Sequence, residues 1–442
     1  MDRLLSITEY HYFYIAKSEN DGYINNNGNI ALPKKVFEMI QNACVNFECF
    51  SFSYKKNIGE IIQCQNYVGV IMFENGLTIE ILPKIFHESE QEVEKARDVV
   101  VKMLRAQKKF NLKEYSNANL ATSKLPIFEV FIAQFLKELT YLVQRGIKSD
   151  YIEQKENLKF LKGRLDVKKQ LEKNSVHKER FYVSFDEFSI QRVENKLIKS
   201  TLEVVKKLSK SKRNLSRIQD FHFVFDEVEK SVDVVQDFKR VKTSRMMKDY
   251  EEVLNWCKLF LLGNGLSLYA GKQKAVSILF DMNQLFEEYV GYELKKHSKK
   301  FQIKQTLGSQ NSGTHLLYDN DNKGRFSLNP DIFLKINDKD IIPMDTKWKV
   351  IETFEYSGDT KKKSLSQADL YQLFAYGKKW KSEKVILIYP YHDNLHKEYE
   401  EKSKLYHYEK EEKFLKLFVV FWDVFGKGEI EVEKFYKKIE MP

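Results

Sequence analysis

Residues 329–334 read Asn-Pro-Asp-Ile-Phe-Leu, and residues 341–348 read Ile-Ile-Pro-Met-Asp-Thr-Lys-Trp. Both are strand-like runs, and the polar residues Asn337-Asp338-Lys339-Asp340 between them predict the turn of a hairpin. Residues on neighbouring strands of a hairpin can point to the same side of the sheet. We therefore expect Asp331 and Asp345 to face each other at one end of this hairpin.

A pair of carboxylates beside a lysine can carry out the hydrolysis of a phosphodiester. Asp331 and Asp345 can hold a divalent cation, which we predict to be Mg²⁺, with the carbonyl of Thr346 as a further candidate ligand. Lys347 shares a strand face with Asp345, and its ammonium can position or deprotonate the attacking water. Because 31% of the residues are charged, a solvated hairpin with charged edge residues is the alternative interpretation.

Helices predicted on either side of the hairpin carry further candidates. The helix predicted over residues 367–380 places Gln372 and Tyr376 four residues apart and therefore on one face. Gln372 is a predicted catalytic residue that holds a substrate phosphate or the water, with an exposed polar residue as the alternative. In the preceding helix we predict Glu287 as a metal ligand. Periodicity leaves Glu288 open, and a solvated pair is the alternative.

The chain divides into three regions by its patterns. Residues 1–87 alternate apolar and polar positions in short runs, with an Asn-Gly hairpin signal at 75–76, which predicts a β-rich domain. Residues 88–270 place apolar side chains mainly at helical spacing, interrupted by one mixed stretch, which predicts a mainly helical region. Residues 271–442 show helix, hairpin, helix and apolar strand in turn, the order of an α/β domain with a mixed central sheet. The predicted fold class is α/β, or α+β over the whole chain.

Composition limits the class of protein. The chain has 442 residues, 43% of them hydrophobic, which is enough for several packed cores. The 73 Lys and Arg against 63 Asp and Glu give a net charge of +10, which weakly favours a polyanionic partner. The four cysteines lack C-x-x-C spacing, so we expect neither a zinc site nor a disulfide framework. No apolar stretch reaches the roughly 20 residues that span a bilayer, so we expect a cytoplasmic protein without a membrane partner.

With these residues identified, the chain resembles the McrC family, the endonuclease subunit of McrBC-type (LlaJI-like) modification-dependent restriction systems. Asp331, Asp345 and Lys347 match the PD-(D/E)xK catalytic pattern of that family, and Gln372 to Tyr376 resembles the Gln-x-x-x-Tyr element of some related nucleases. The similarity extends beyond the hairpin, through blocks at Val68–Ile71, Leu77–Ile85, Leu158–Asp166, Asp186–Leu197 and Phe280–Glu287.

The resemblance implies a C-terminal PD-(D/E)xK nuclease fold and a specific division of labour. Such a subunit cuts double-stranded DNA with Mg²⁺, but only in a hetero-oligomer with an McrB-like AAA+ GTPase that recognises the modified site and translocates. The N-terminal part of McrC-like proteins docks into the partner ring and stimulates its GTPase, so residues 1–87 are the predicted docking region. The sequence contains no Gly-x-x-x-x-Gly-Lys-[Ser/Thr] motif, which agrees with GTP hydrolysis by a partner.

Two other classes of function remain open from the sequence. The first is a structural activator of an AAA+ ring, in which the nuclease fold has no catalytic activity. The second is a basic nucleic-acid-binding protein without chemistry, which would need clustered basic and aromatic positions on one sheet face. The complete set of Asp331, Asp345 and Lys347 favours the enzyme over both.

Overall fold

The computed structural model of the chain divides by its internal contacts into two compact units. One unit comprises Met1–Lys124 with Tyr269–Pro442, and the other is Leu125–Leu268. The structure describes residues 3–17, 24–26, 28–44, 48–73, 75–84, 90–104, 106, 126–241, 247–262, 275–297, 304–307, 314–336, 340–351, 365–392, 404–408 and 415–439. The predicted hairpin turn at residues 337–339 lies outside the described residues.

Short strands dominate the first part of the chain, as the alternating pattern predicts. The elements are β1 (Arg3–Thr8), β2 (Tyr12–Ile15), β3 (Ile24–Asn26), β4 (Asn29–Leu32), α1 (Lys34–Cys44), β5 (Phe50–Lys55), β6 (Gly59–Cys64), β7 (Tyr67–Phe73), β8 (Leu77–Leu82) and α2 (Glu90–Leu104). One sheet has the order β3-β4-β2-β6-β5. Helix α1 begins directly after Pro33, whose fixed φ suits the first turn of a helix.

The unit Leu125–Leu268 contains both helices and a sheet. Its elements are α3 (Ile127–Gln144), β9 (Asp150–Leu158), β10 (Arg164–Leu165), α4 (Val167–Lys173), β11 (Phe181–Ser189), α5 (Val193–Leu208), α6 (Lys212–Val224), α7 (Val234–Arg240) and α8 (Lys248–Leu262). The stretch that looked mixed in the sequence forms an antiparallel sheet of order β10-β11-β9. Gly163 has φ +74° and lies against Ser184, and the Asp166 side chain caps α4 by accepting a hydrogen bond from Lys169 N at 3.1 Å.

The last part of the chain is built around a mixed sheet. Its elements are β12 (Ala275–Asp281), α9 (Met282–His297), β13 (Lys304–Leu307), β14 (His315–Tyr318), β15 (Gly324–Ser327), β16 (Ile332–Ile336), β17 (Asp340–Thr346), α10 (Gln367–Trp380), β18 (Lys384–Pro390), β19 (Lys404–His407), β20 (Lys416–Trp422) and α11 (Gly428–Ile439). The sheet order is β13-β16-β17-β18-β20-β19. Strands β17, β18 and β20 are parallel to one another, and the outer pairs are antiparallel. The predicted mixed α/β class is confirmed.

A further sheet combines strands from the first and the last part of the chain. Its order is β1-β8-β7-β12, so a strand that opens the last region completes a sheet begun by the first. Strand β12 was not among the predicted elements, and its antiparallel pairing with β7 spans about two hundred residues of sequence. Helix α9 starts immediately after β12, where Asp281 accepts hydrogen bonds from the backbone N–H groups of Asn283 and Gln284. The domain boundaries at residues 87 and 270 stay predictions.

None of the helices in the described residues is long and apolar enough to cross a membrane. The longest of them, α3, is instead a core helix of its own unit. Phe128 and Phe135 of α3 pack edge-on against Phe260 of α8, with ring centroids 5.8 and 5.7 Å apart. Its apolar character is therefore explained by packing within the unit.

Gly69 is the point of closest approach between β7 and β12. Its φ is +137°, and a Cβ at this position would lie 2.0 Å from the carbonyl oxygen of Ile278. Because that neighbour is backbone, it cannot move aside without distorting the sheet. We expect Gly69→Ala to lower the free energy of unfolding by about 3 kcal/mol or more, measured by chemical denaturation.

Gly59 provides the matched control for that substitution. Its φ is +102°, but nothing lies within 4 Å of the position of its Cβ. Gly59→Ala should therefore cost only the backbone strain, about 1–2 kcal/mol. Equal losses in the two variants would contradict a steric role for the contact between Gly69 and Ile278.

Candidate active site

The register of the β16–β17 hairpin sets the geometry of the site. Ile332 pairs with Met344, so the next facing positions beyond them are Asp331 and Asp345. Facing residues of an antiparallel pair have their Cβ atoms about 4.5–5.5 Å apart and on the same side of the sheet. The structure therefore brings together the two carboxylates that the sequence singled out.

Asp331 is held in place by the end of the neighbouring strand. Its Oδ2 accepts hydrogen bonds from the backbone N–H and the hydroxyl of Thr346, at 2.7 and 2.8 Å. Burial raises the pKa of Asp331, although these hydrogen bonds and the charge of Lys347 oppose the shift. One oxygen of Asp331 is thus fixed by the fold.

Asp345 is more deeply buried, at 1% exposed, and it has fewer partners. Lys347 Nζ forms a close ion pair with its Oδ2. Apart from this ammonium, no N–H or O–H group of the described residues donates a hydrogen bond to the Asp345 carboxylate. Burial, followed by the nearby charge of Asp331, raises the pKa of Asp345 to about 7. A buried carboxylate with so few donors is suited to binding a cation.

Lys347 remains an ammonium in this environment. Burial opposes its charge, but the carboxylates of Asp345 and Asp331 outweigh that effect and raise its pKa above the ordinary value. A lysine with a raised pKa is a poor base. Of the two roles predicted for Lys347, its raised pKa agrees better with orienting water and neutralising charge than with proton abstraction, and both roles stay predictions.

Glu287 on helix α9 is close enough to these groups for their charges to affect its pKa. Burial and then the charge of Asp331 raise the pKa of Glu287 to about 8, while the charge of Lys347 lowers it. Glu288 accepts a hydrogen bond at 3.0 Å from Gln284 Nε2, at an exposed position one turn earlier in the helix. The choice between Glu287 and Glu288 as a metal ligand stays a prediction.

Helix α10 brings Gln372 and Tyr376 to the same side of the sheet. Gln372 Nε2 donates a hydrogen bond to the Tyr376 hydroxyl at 2.6 Å. Burial, followed by the charge of Asp345, raises the pKa of Tyr376 to about 12. The amide of Gln372 is thus oriented by Tyr376, and its catalytic role stays a prediction.

One acidic residue of this region was missed by the sequence analysis. Asp369, one turn before Gln372 on α10, forms an ion pair with Lys349 Nζ at 2.6 Å and accepts a hydrogen bond from the Tyr389 hydroxyl at 3.3 Å. Its charge contributes to the raised pKa of Asp345. The i, i+3 spacing from Gln372 was the available signal, since both residues share a helix face.

The residues of the site fit a divalent cation bound largely by water and substrate. The facing carboxylates of Asp331 and Asp345 lie beside the Lys347 ammonium, and burial, together with their charges, raises the pKa of Glu287. Among the described residues, no three Asp, Glu, His or Cys side chains are gathered closely enough to make a complete metal site. Mg²⁺ commonly uses one or two carboxylates and completes its shell with water and phosphate oxygens. The two facing aspartates supply that number.

The fold and the site define a mixed α/β protein with a buried pair of facing aspartates beside a lysine. The chain belongs to the family described as McrBC 5-methylcytosine restriction system component, whose sequence profile matches residues 62–390. No curated protein sequence matches the chain.

Two solved structures from Thermococcus gammatolerans are similar to this chain. The first is described as a refined half-complex from a tetradecameric assembly of McrB AAA+ hexamers with bound McrC. It matches with a TM-score of 0.68 and 18% identity over 99% of both chains. The second, a cryo-EM structure of the McrBC complex, has a TM-score of 0.47 and 20% identity over 67% of this chain and 88% of that chain. The family match thus shows the McrBC family, and the first structure shows a similar overall fold.

Proposed function

We propose that this chain is the Mg²⁺-dependent DNA endonuclease subunit of an McrBC-type, GTP-dependent restriction complex. The observation that carries the proposal is the facing pair Asp331 and Asp345 with the Lys347 ammonium beside it. Such a group of like charges destabilises the metal-free protein, and strongly shifted carboxylates concentrate at functional sites. The arrangement is therefore better explained by chemistry than by folding.

The order of elements around the site supports a PD-(D/E)xK nuclease fold. Helix α9 precedes the antiparallel strands β13, β16 and β17 of the mixed sheet, with the separate β14–β15 pair inserted between β13 and β16. Helix α10 then leads to β18, which is parallel to β17. The resulting helix–three strands–helix–strand order resembles that of PD-(D/E)xK nucleases. The acidic positions lie at the start of β16 and near the end of β17, where the resemblance expects them.

The residues of the site have distinct roles in the proposed reaction. Asp331 and Asp345 would hold the cation, with the Thr346 carbonyl and Glu287 as further candidates. When bound, Mg²⁺ supplies Lewis-acid polarisation of the phosphate and lowers the pKa of a bound water. Lys347 would orient the attacking water for in-line displacement and neutralise charge on the phosphorane.

Helix α10 contributes the remaining polar group near the reacting phosphate. Gln372 would hold a phosphate oxygen or the water, with its amide oriented by the Tyr376 hydroxyl. Such a contact adds orientation rather than charge, so its expected contribution is smaller than that of the carboxylates.

The proposed partner is an McrB-type AAA+ GTPase, and the proposed substrate is double-stranded DNA. The family match supports both, and the similar structure from T. gammatolerans is described as McrB AAA+ hexamers with bound McrC. The net charge of +10 is compatible with a polyanionic substrate. The chain would also stimulate GTP hydrolysis by its partner.

The decisive experiment combines the full-length chain, an McrB-type partner, GTP and Mg²⁺ with plasmid DNA, either containing or lacking 5-methylcytosine. We expect cleavage only when all components are present and complete loss of cleavage with EDTA. GTP hydrolysis is measured in the same reactions. Stimulated GTPase without cleavage would identify a structural activator, whereas salt-sensitive DNA binding by the lone chain without either activity would identify a binding protein.

A further inference from the structure

Two residues at one edge of the β1-β8-β7-β12 sheet contact the chain just beyond the β16–β17 hairpin. Strands β1 and β8 are parallel and end in register, with Thr8 paired to Leu82. Glu9 follows Thr8 and donates its backbone N–H to the Leu82 carbonyl at 2.9 Å, while Lys84 lies just beyond the end of β8. The carboxyl ends of parallel neighbours lie at the same edge of a sheet, so Glu9 and Lys84 start from adjacent positions.

Both residues bind Trp348. Glu9 Oε2 accepts hydrogen bonds from the Trp348 indole Nε1–H at 2.8 Å and from the Lys84 backbone N–H at 3.1 Å. Lys84 Nζ donates a hydrogen bond to the Trp348 carbonyl oxygen at 2.7 Å. Trp348 is 1% exposed, and its ring also packs against Phe286 of α9 with centroids 5.3 Å apart. We call the contacts of Glu9 and Lys84 with Trp348 the tryptophan clamp.

The tryptophan clamp acts on the residue that follows Lys347. The Lys349 backbone N–H donates to the Lys347 carbonyl at 2.9 Å, which closes a three-residue turn centred on Trp348. The backbone N–H of Lys347 itself donates to the Ile388 carbonyl of β18 at 2.9 Å. The chain therefore leaves β17 directly after Lys347, and the clamp fixes the direction in which it leaves.

We propose that Glu9 and Lys84 are positioning residues that hold the turn at Trp348 so that the Lys347 ammonium faces Asp345. The role assigned to Lys347 rests on the proposed function, whereas the positioning itself does not. A three-residue turn has few hydrogen bonds of its own. Contacts with both the indole and the carbonyl of Trp348 therefore restrict the movement of the turn. Without the anchor, the strand end that carries Lys347 would sample other orientations, and its ion pair with Asp345 would open.

The proposal is tested by the chemical reactivity of Lys347 in the full-length chain. An ammonium held in an ion pair acylates slowly, so competitive lysine labelling, read by mass spectrometry, reports whether the pair with Asp345 is intact. We expect Glu9→Leu, which removes the acceptor for Trp348, to increase the labelling of Lys347 by about fivefold or more. Glu9→Gln retains an acceptor oxygen of the same shape and should keep labelling close to that of the wild type. Lys434, paired with Glu431 on α11, serves as the internal reference.

A buried ion pair in the same sheet provides the control for stability alone. Glu80 is fully buried on β8 and accepts two hydrogen bonds from Arg97, at 3.0 and 2.7 Å. Glu80→Leu should lower the melting temperature at least as much as Glu9→Leu, because it leaves a buried charge unpaired. It should leave the labelling of Lys347 unchanged. Equal labelling in wild type and Glu9→Leu, or the same increase in Glu80→Leu, would overturn the proposal.

Cleavage by the complex gives a second measurement with a separate meaning. In the presence of partner, GTP and Mg²⁺, Glu9→Leu should cut DNA at least about tenfold more slowly, and Glu9→Gln should restore most of the rate. A wild-type complex that never cuts would reject the proposed function, and the labelling result would still decide the positioning. Normal cutting by Glu9→Leu together with increased labelling would show that the clamp positions Lys347 without effect on the reaction, and would overturn its catalytic significance.

Discussion

Asp345→Asn is expected to abolish DNA cleavage and, at the same time, to make the metal-free chain more resistant to heat. In the wild-type site, burial and the charge of Asp331 raise the pKa of Asp345, and burial and both charges raise that of Glu287, so the ionised groups repel one another in a buried setting. An asparagine has nearly the same shape but no charge, so it removes repulsion and leaves Lys347 with other acidic neighbours. The same change removes a cation ligand, which should lower the cleavage rate about a thousandfold or more.

The stability half of this prediction is measured by thermal melting of the full-length chain in EDTA and in Mg²⁺. At about pH 8.5, above the raised pKa of Asp345, the Asp345→Asn chain should melt several degrees above wild type in EDTA and respond little to Mg²⁺. Asp369→Asn is the matched control, because Asp369 is also buried but has the balanced partners Lys349 and Tyr389. That variant should melt below wild type. If the Asp345→Asn chain were less stable than wild type in EDTA, or were still stabilised by Mg²⁺, the explanation by charge repulsion would be wrong.

The pairing of Asp331 with Asp345 was predictable because it depends on local sequence. A hairpin brings together residues that are close in the chain, and period-two alternation then determines which side chains share a face. Helix α10 was likewise readable from its apolar periodicity, and the structure places it over the predicted residues, Gln367–Trp380. Each inference needed only a few consecutive residues and one known period.

The sheet that supports the site was not predictable in the same way. Strand β12 is a short apolar run, which periodicity alone does not distinguish from part of a buried helix. Its partner β7 is chosen by long-range packing, including the close approach that Gly69 permits. The contacts of Glu9 and Lys84 with Trp348 depend on that same tertiary arrangement. No local pattern in a single sequence predicts these contacts.

The described residues of the site include more acidic than basic groups, which predicts that Mg²⁺ binding depends strongly on pH. Burial raises the pKa of Asp345 to about 7 and that of Glu287 to about 8, both above the ordinary carboxyl range. A group with a raised folded-state pKa stabilises the fold below its unfolded pKa, near 4, and this contribution is lost as the pH rises through the folded value. The metal-free chain should therefore become less stable between about pH 4 and pH 8.

Mg²⁺ should reverse this loss, because it occupies the site only after the carboxyl protons leave. We expect the increase in melting temperature caused by millimolar Mg²⁺ to be near zero at about pH 5.5 and on the order of several degrees at about pH 8.5. Melting curves across this range, with EDTA or Mg²⁺, measure the difference directly. Glu287→Gln should shift the onset of the Mg²⁺ effect to lower pH, since it removes the acid with the higher pKa. An Mg²⁺ effect of equal size at both ends of the range would mean that these carboxyl groups are already ionised in the metal-free protein, and that the cation competes with no proton for the site.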